Sequence, residues 1–261
     1  MEGLGYLSTG INFISLIMNE LHLTDKELER YSRHLILPEF GVQGQKKLKA
    51  SKVLVVGAGG LGSAVLKYLT AAGVGMIGII DHDTVSISNL QRQVLYDTGD
   101  LGNKKTEVAK IKLTMLNPNV GIVIYDYELT GENAQSIIGN YDLIVDCSDN
   151  YSTRYLTNES SLILQKPLVF GSIKNYEGQV SVFNYNGGPG YKDLYPEPPD
   201  EKEIPESDPG VLGVLPGLTG CLQANEAIKI ITGIGDVLSG RLLVINLLKN
   251  SFVTLKINAR R

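Results

Sequence analysis

Cysteine is scarce in this chain, and so are long apolar runs and any excess of one charge. The 261 residues include two cysteines, too few for a disulfide scaffold or for a zinc site built from four cysteines. No run of about 18 apolar residues occurs, so the sequence predicts no transmembrane helix. Lys and Arg number 24 and Asp and Glu 28, and the net charge of −4 predicts neither a nucleic-acid nor a membrane partner.

The first twenty residues contain an apolar stretch, residues 11–18, that has the length of a signal-peptide core. A signal peptide carries basic residues before that core and a small-residue cleavage site after it. Here the only charged residue before the stretch is Glu2, and Asn19 and Glu20 follow it. We therefore expect a cytoplasmic protein and interpret residues 1–20 as a poorly specified extension.

Short β-branched strands alternate with longer helices from Lys52 onward. Strands are predicted at 52–56, 76–80, 121–125, 141–146 and 167–171, and helices at 60–72, 105–116 and 153–164. Apolar strands separated by helices of this length predict βαβ units and a parallel sheet. The pattern then changes to a strand at 179–185, a proline-rich loop at 186–209, a helix at 218–231 and strands at 242–246 and 252–257.

Two short helices are expected before the first strand. Thr24 and Glu27 form a capping-box pattern that opens a helix to about His34, and residues 41–50 continue as a second helix. The expected fold class is therefore α/β, a Rossmann-like, mostly parallel sheet with N-terminal helices and an antiparallel C-terminal extension. A solvated helix face is a simpler interpretation than an anion site for the nearby lysines, which are Lys46, Lys47, Lys49 and Lys52.

A glycine-rich turn joins the first predicted strand to the helix after it. Gly57, Gly59 and Gly62 match the G-x-G-x-x-G pattern in the strand–turn–helix context that this pattern requires. Glycines there let the backbone approach a phosphate, and the amides of the helix N-terminus face it. Asp81 ends the second strand 19 residues after Gly62, where its carboxylate can accept ribose hydroxyls. These features predict a nucleotide without distinguishing NAD, FAD and ATP.

Polar and cationic side chains after the second strand favour ATP over a redox nucleotide. They are Asn89, Arg92, Gln93 and Lys105. Two cations near a nucleotide suit a triphosphate, whose charge must be offset as phosphoryl oxygens leave. A hydride-transferring enzyme needs no such cations beyond the pyrophosphate.

The segment 146–150, Asp-Cys-Ser-Asp-Asn, follows another predicted parallel strand. Open α/β sheets bind ligands at that end of their strands, and the carboxylate of Asp149 can hold Mg²⁺ on phosphates. A helix N-cap formed by Asp149 or Asn150 is the alternative. The three histidines do not cluster, so no histidine-based acid–base chemistry is predicted.

The chain resembles the ThiF/MoeB-type, E1-like adenylyltransferases that activate ubiquitin-like sulfur-carrier proteins of molybdopterin and thiamin biosynthesis. The resemblance covers about residues 23–256 and rests on the segments 30–37, 57–62, 81–83, 88–93, 146–150, 178–180 and 210–217. It implies that the glycine carboxylate of a carrier ending in Gly-Gly attacks the α-phosphate of ATP, which gives an acyl-adenylate and pyrophosphate. It also implies a single adenylation domain over residues 21–261.

The resemblance also implies roles for individual residues. Asp81 would bind the ribose, Lys105 would stabilise the α-phosphoryl transition state, and Asp149 would position magnesium. Arg33 matches an arginine that reaches the phosphates from the partner subunit, which implies a homodimer. Asn89 and Arg92 would contact the phosphates, and the whole nucleotide pocket would comprise Gly57, Gly59, Gly60, Gly62, Asp81, Asp83, Asn89, Arg92, Gln93 and Lys105.

Two departures from the family pattern concern cysteine. Many members bind zinc through two C-x-x-C pairs, but the place of the first pair, residues 190–196, reads Gly-Tyr-Lys-Asp-Leu-Tyr-Pro, so no zinc is expected. Some relatives carry a loop cysteine that receives the acyl group or sulfur, and here that position is Glu206. Because covalent transfer needs a thiolate, we predict adenylation without a thioester at that loop. Cys147 and Cys221 are interpreted as core residues.

Three other functions remain open from the sequence. The acceptor carboxylate could belong to a modified peptide or a tRNA base. The chain could be a non-catalytic partner that keeps only the fold, although the retained cations argue against this. It could also be an NAD-dependent dehydrogenase, which a comparison of ATP and NAD binding would reveal.

Overall fold

An eight-stranded sheet organises the part of the chain that the computed structural model describes, residues 22–199 and 210–258. Its strands in chain order are β1 (Lys52–Val56), β2 (Met76–Ile80), β3 (Gly121–Tyr125), β4 (Leu143–Asp146), β5 (Leu168–Lys174), β6 (Glu177–Phe183), β7 (Arg241–Asn246) and β8 (Ser251–Lys256). The spatial order is β3-β2-β1-β4-β5-β6-β7-β8. The strands from β3 to β5 pair in parallel, and β6, β7 and β8 extend the sheet antiparallel. The predicted fold class is confirmed.

The helices that accompany the sheet agree with most of the predicted ones. They are α1 (Asp25–Arg30), α2 (Ser32–Leu35), α3 (Gly41–Ala50), α4 (Gly60–Ala72), α5 (Lys105–Leu116), α6 (Ala134–Ile138), α7 (Tyr151–Ile163), α8 (Tyr191–Leu194) and α9 (Val214–Thr232). No helix in these described ranges is long and apolar enough to cross a membrane. The expected extension at residues 1–20 and Glu206 lie outside the described residues.

The N-terminal helix begins as predicted but ends earlier. The side chain of Thr24 accepts from the backbone of Glu27, whose carboxylate accepts from the Thr24 backbone, so the capping box is confirmed. The prediction of one continuous helix to His34 was wrong, because the helix is interrupted at Tyr31, between α1 and α2. The Tyr31 side chain is buried, and its hydroxyl accepts a hydrogen bond of 2.8 Å from Nδ2 of Asn117 at the far end of α5.

The core lies on both faces of the sheet. Val53 and Val55 of β1 pack into one apolar cluster, and their alternate neighbours Leu54 and Val56 pack into another. Successive side chains of a strand point to opposite faces, so a strand covered on both sides is apolar throughout. Burial on both faces explains the continuous apolar run before the glycine turn. It also places the end of β1 between the two apolar clusters.

Two lysines of the basic cluster at α3 are engaged within the chain. Lys49 forms an ion pair of 2.7 Å with Glu27, and Lys47 donates to the carbonyl oxygen of Thr232. These contacts tie α3 to α1 and to the end of α9. The lysines therefore have a structural use that does not require an anionic ligand.

Candidate active site

A cleft opens where β1, β2 and β4 end, at the edge of the sheet where parallel strands present ligand-binding groups. Most of the residues predicted for the site line it. They are Gly57, Gly59, Gly60, Asp81, Asp83, Arg92, Gln93, Lys105 and Asp149. The remaining three predicted residues, Arg33, Gly62 and Asn89, lie outside its lining.

The glycine turn forms the floor of the cleft. Gly57 has φ +94°, a conformation that side chains disfavour, and it starts the turn directly after β1. A Cβ on Gly62 would lie 2.1 Å from the carbonyl oxygen of Gly57, so Gly62 allows the helix to pack against the turn. The N-cap residue of α4, Gly59, offers no side-chain cap, which leaves the first amides of the helix free to meet a phosphate.

Asp81 connects the end of β2 to the glycine turn. Its Oδ2 accepts a hydrogen bond of 2.7 Å from the amide of Ala58, and its Oδ1 accepts one of 2.8 Å from the amide of Asp83. Both bonds fix the orientation of the carboxylate at the cleft. Each carboxylate oxygen can still accept a further hydrogen bond, which is what binding of a ribose diol requires.

Lys105 is a buried cation held by one carboxylate. Its Nζ lies 2.8 Å from Oδ2 of Asp83, and the Lys105 side chain is 4% exposed whereas that of Asp83 is 53% exposed. Partial burial works to raise the pKa of Asp83, but the hydrogen bond and the charge of Lys105 outweigh it and hold the pKa below its usual value. The ion pair holds the ammonium group of Lys105 at the cleft, with further N–H donors beyond the one that Asp83 takes.

The turn after β2 carries three of the predicted polar residues. Arg92 lines the cleft and donates from Nη1 to the carbonyl oxygen of Ser88 at 3.0 Å. Asn89 stabilises that turn, because its Oδ1 accepts from the amide of Ser86 at 3.3 Å. Gln93 is buried and borders the cleft, and within the described part of the chain its Oε1 has no hydrogen-bond partner.

Within the segment 146–150, one residue caps a helix and another faces the cleft. Asn150 caps α7, since its Oδ1 accepts from the amide of Thr153 at 2.9 Å. Asp149 is exposed and lines the cleft. The capping function thus belongs to Asn150, and the Asp149 carboxylate is available to a ligand.

Several cleft residues were not predicted from the sequence. Tyr127, Glu128 and Leu129 follow β3, and Arg154 lies in the first turn of α7. Their positions in the sequence were the available signal: the first three begin two residues after the end of the parallel strand β3, and Arg154 lies four residues after Asn150. Arg33, in contrast, has an exposed side chain and does not line the cleft of its own chain.

The two cysteines differ in burial. Cys147 is buried at the end of β4, and burial raises the pKa of its thiol well above the usual value. Cys221 is half-buried on α9, and desolvation raises the pKa of its thiol as well. Neither environment favours the thiolate that a nucleophile requires.

The residues that the structure describes contain no group of three or more His, Cys, Asp or Glu side chains that could hold a metal ion. At the place of the first zinc pair, Tyr191 is buried and packs against Tyr155, with 5.1 Å between the ring centroids. The donors at that place do not suit zinc, and the absence of zinc stays a prediction.

The chain matches a protein family and individual relatives in sequence. A family model described as "ThiF family" matches residues 31–261. The chain is 49% identical over 245 residues to the "Sulfur carrier protein adenylyltransferase" of Thermus thermophilus, which covers 91% of this chain and 90% of that protein. It is 47% identical to the "Probable adenylyltransferase/sulfurtransferase MoeZ" of Mycobacterium tuberculosis, over 90% of this chain and 61% of the relative. It is 48% identical to "Adenylyltransferase and sulfurtransferase MOCS3" of Drosophila yakuba, over 92% of this chain and 53% of the relative.

Solved structures with the same fold are more distant in sequence. PaaA superimposes with a TM-score of 0.78 at 21% identity, over 96% of this chain and 83% of that one. E. coli MccB with MccA-N7isoASN gives a TM-score of 0.80 at 20% identity, over 94% of this chain and 83% of that one. These likenesses concern the fold alone. The family match and the names of the sequence relatives confirm the predicted ThiF/MoeB-type resemblance and the prediction of an adenylyltransferase.

Proposed function

Because the chain belongs to the ThiF family and matches adenylyltransferases along its length, we propose that it activates the C-terminal glycine carboxylate of a ubiquitin-like sulfur-carrier protein with ATP. The product is an acyl-adenylate, and pyrophosphate leaves. The observation that carries the proposal is the buried Lys105, held by Asp83 in the same cleft as the glycine turn. Only the adenylation step is proposed, since the chain spans about half to three fifths of the relatives that are also named sulfurtransferases.

The reaction joins two anions, which determines what the cleft must supply. A carboxylate oxygen of the carrier forms a bond to the α-phosphorus of ATP, while the bond from that phosphorus to the bridging oxygen breaks and its electron pair leaves with pyrophosphate. The nucleophile is already ionised, so no general base is needed. Cations aligned with the developing charge lower the barrier by offsetting repulsion and by orienting the two reactants.

We assign the side chains of the cleft on this basis. The glycine turn, with Gly57, Gly59, Gly60 and Gly62, shapes the nucleotide pocket, and Asp81 binds the ribose. Arg92 contacts the phosphates and Lys105 the α-phosphoryl group. Asp83 keeps Lys105 in place, and Asn89 and Gln93 stay predicted nucleotide contacts.

Asp149 is the residue we propose to hold magnesium. Mg²⁺ on a nucleotide is commonly bound through one or two carboxylates together with phosphate oxygens and water. A single exposed carboxylate at the cleft therefore fits the ion without a preformed cluster. When bound, the ion would neutralise charge on the phosphates.

Arg33 and the oligomeric state complete the proposal. The side chain of Arg33 is exposed on α2 and away from the cleft of its own chain, which suits a residue that acts in the site of a second copy. We propose a homodimer in which each copy supplies Arg33 to the other. We further propose that residues 21–261 act as one adenylation domain and that the enzyme works in the cytoplasm.

The acceptor is tested by ATP–pyrophosphate exchange with a panel of sulfur-carrier proteins, each prepared with and without its terminal Gly-Gly. Exchange is expected with at least one intact carrier and is expected to be absent with the same carrier after the tail is removed. Exchange that is unaffected by removal of the tail would contradict the proposed acceptor. A modified peptide or a tRNA in the same assay serves as the competing acceptor.

A further inference from the structure

Arg154 is a buried arginine that borders the cleft and bonds to the segment that carries Asp149. It lies in the first turn of α7 and is 8% exposed. Its Nη2 donates a hydrogen bond of 3.1 Å to the carbonyl oxygen of Ser148. Its Nε is buried without a hydrogen-bond partner among the residues that the structure describes. A buried guanidinium is costly to desolvate, so its presence at a ligand cleft calls for a use.

The guanidinium group lies against two aromatic rings. The central carbon of the group lies 5.6 Å from the ring centroid of Tyr151 and 5.7 Å from that of Phe170. Phe170 in turn packs against Tyr191, with 5.3 Å between the ring centroids. Burial raises the pKa of the Tyr191 hydroxyl, and the charge of Arg154 opposes that shift. The orientation of Arg154 is thus set by packing.

The segment 146–150 is held by several hydrogen bonds, which include the Asn150 cap of α7 and the bond from the amide of Ser148 to Oδ1 of Asp146 at 2.9 Å, and three more fix its course before Asp149. The carbonyl oxygen of Asp146 accepts from Nε2 of Gln223 at 2.7 Å, and the amide of Cys147 donates to Val56 at 2.8 Å. Arg154 makes the third contact, at Ser148, and this contact is the nearest of the three to Asp149. The other two fix the end of β4, whereas the bond from Arg154 fixes the residue before Asp149 and the Asn150 cap fixes the residue after it.

We propose that Arg154 is a positioning residue that sets where Asp149 meets the metal–nucleotide complex. The inference rests on the proposed function of Asp149. Arginine suits the task because its planar fork can donate to Ser148 while the same group lies against two rings, whereas the compact ammonium of lysine keeps the charge but cannot make both contacts in this rigid arrangement. Displacement of a reacting group by about 1 Å can lower a rate by about a hundredfold, so a small shift of Asp149 has a large effect.

The first test compares Arg154→Lys with Arg241→Lys. Arg241 is a matched control, because its Nη2 also donates to a backbone carbonyl, that of Val237 at 2.8 Å, and it lies on β7 outside the cleft lining. Arg154→Lys is expected to lower kcat for pyrophosphate exchange about tenfold or more and to raise the half-saturating Mg²⁺ concentration about tenfold, with the KM for the carrier changed by less than about threefold. Arg241→Lys should leave all three unchanged. A lower kcat with an unchanged Mg²⁺ requirement would overturn the proposal.

A double-mutant cycle with Asp149→Asn separates positioning from general damage. If Arg154 acts through Asp149, adding Arg154→Lys to Asp149→Asn should reduce the rate by less than about threefold further. Full additivity of the two losses would contradict the proposal. Where Arg154→Lys does not fold at the assay temperature, Tyr191→Phe keeps the ring, removes the hydroxyl beside Arg154, and should shift the Mg²⁺ requirement in the same direction.

The metal dependence is also measured without any acceptor. Binding of the non-hydrolysable analogue AMPCPP is titrated at increasing Mn²⁺ concentrations for the wild type and for both arginine variants. Arg154→Lys should need about tenfold more Mn²⁺ for the same affinity, and an unchanged Mn²⁺ requirement would refute the proposal. A wild type that binds Mn²⁺–AMPCPP and yet exchanges with no carrier would show that the proposed acceptor is wrong, while this comparison would still decide the role of Arg154.

Discussion

The ion pair of Lys105 and Asp83 places a buried ammonium group at the cleft. Lys105 is buried and Asp83 is half-exposed, so the Lys105 ammonium loses more of its hydration than the Asp83 carboxylate does. Asp83 supplies the counter-charge that a buried ammonium group requires, and N–H donors of Lys105 remain beyond the one that Asp83 takes.

The contribution of this pair to stability is expected to depend on pH. The pKa of Asp83 in the folded protein lies below its usual value, so the pair stabilises the fold fully above about pH 4 and loses that stabilisation as the pH falls through the folded pKa. Asp83→Asn should lower the free energy of unfolding by about 1 kcal/mol at neutral pH, and the difference from wild type should disappear in acid. Urea unfolding at a series of pH values measures it. A difference that already vanishes at about pH 6 would contradict the assignment.

Individual elements follow the sequence closely where short-range signals determine them. The bounds of β1, β2, β3, α4 and α5 agree with the predicted ones, since strand, glycine turn and helix are each encoded within a few residues. Contacts outside the segment itself accompany what was missed. Tyr31, where the first helix is interrupted, bonds to the distant Asn117, and β5 extends to Lys174 because it forms a tight hairpin with β6, in which Lys174 pairs with Glu177.

The same distinction applies to the cleft. Asp81, Arg92 and Lys105 were predictable, because ligand groups follow the ends of parallel strands or belong to recognisable motifs. Arg154 was not, because an arginine in the first turn of a helix looks like a surface residue until the packing of Phe170 and Tyr151 around it is known.

The close contact between the glycine turn and α4 gives a prediction at the scale of this element. A Cβ at Gly62 would lie 2.1 Å from the Gly57 carbonyl oxygen, whereas a Cβ at Gly217 of α9 meets nothing within 4 Å. Gly62→Ala should therefore destabilise the fold by about 1–3 kcal/mol and weaken ATP binding. Gly217→Ala should be neutral or stabilising by up to about 1 kcal/mol, since alanine loses less entropy in a helix. Urea unfolding compares them, and equal effects would contradict the account.

At the scale of the whole molecule, one residue predicted for the site, Arg33, does not belong to the cleft of its own chain. The described residues of one copy form the sheet, its two apolar clusters and the lining of the cleft, but Arg33 is outside that lining. The idea that a partner completes the site therefore rests on the proposed homodimer. The packing of one chain does not by itself indicate it. Sequence reasoning reached Arg33 only through the family resemblance.

If each active site contains residues from both copies, two inactive variants should complement each other in a heterodimer. Arg33→Ala and Lys105→Ala homodimers should both be inactive in exchange. A heterodimer of the two, purified through two affinity tags, contains one intact site and one doubly altered site. It should recover about half of the wild-type activity if the symmetric dimer shares its sites. An inactive heterodimer would show that Arg33 does not act across the interface.

Metal content is a second property of the whole molecule. We expect purified protein to contain no stoichiometric zinc, because the place of the first cysteine pair carries Tyr191 in an aromatic cluster. Elemental analysis by mass spectrometry checks this. One zinc per chain would contradict the prediction.

The central claim, that this cleft transfers AMP to a carrier carboxylate with Lys105 at the α-phosphate, is tested most directly by ATP–pyrophosphate exchange in the presence of carrier. Lys104→Ala serves as the matched control, because Lys104 pairs with Asp126 at the surface at 3.4 Å and does not line the cleft. We predict that Lys105→Ala lowers exchange by at least about a hundredfold while Lys104→Ala stays within about threefold of wild type. Exchange that survives Lys105→Ala at the level of the Lys104→Ala control would contradict the account.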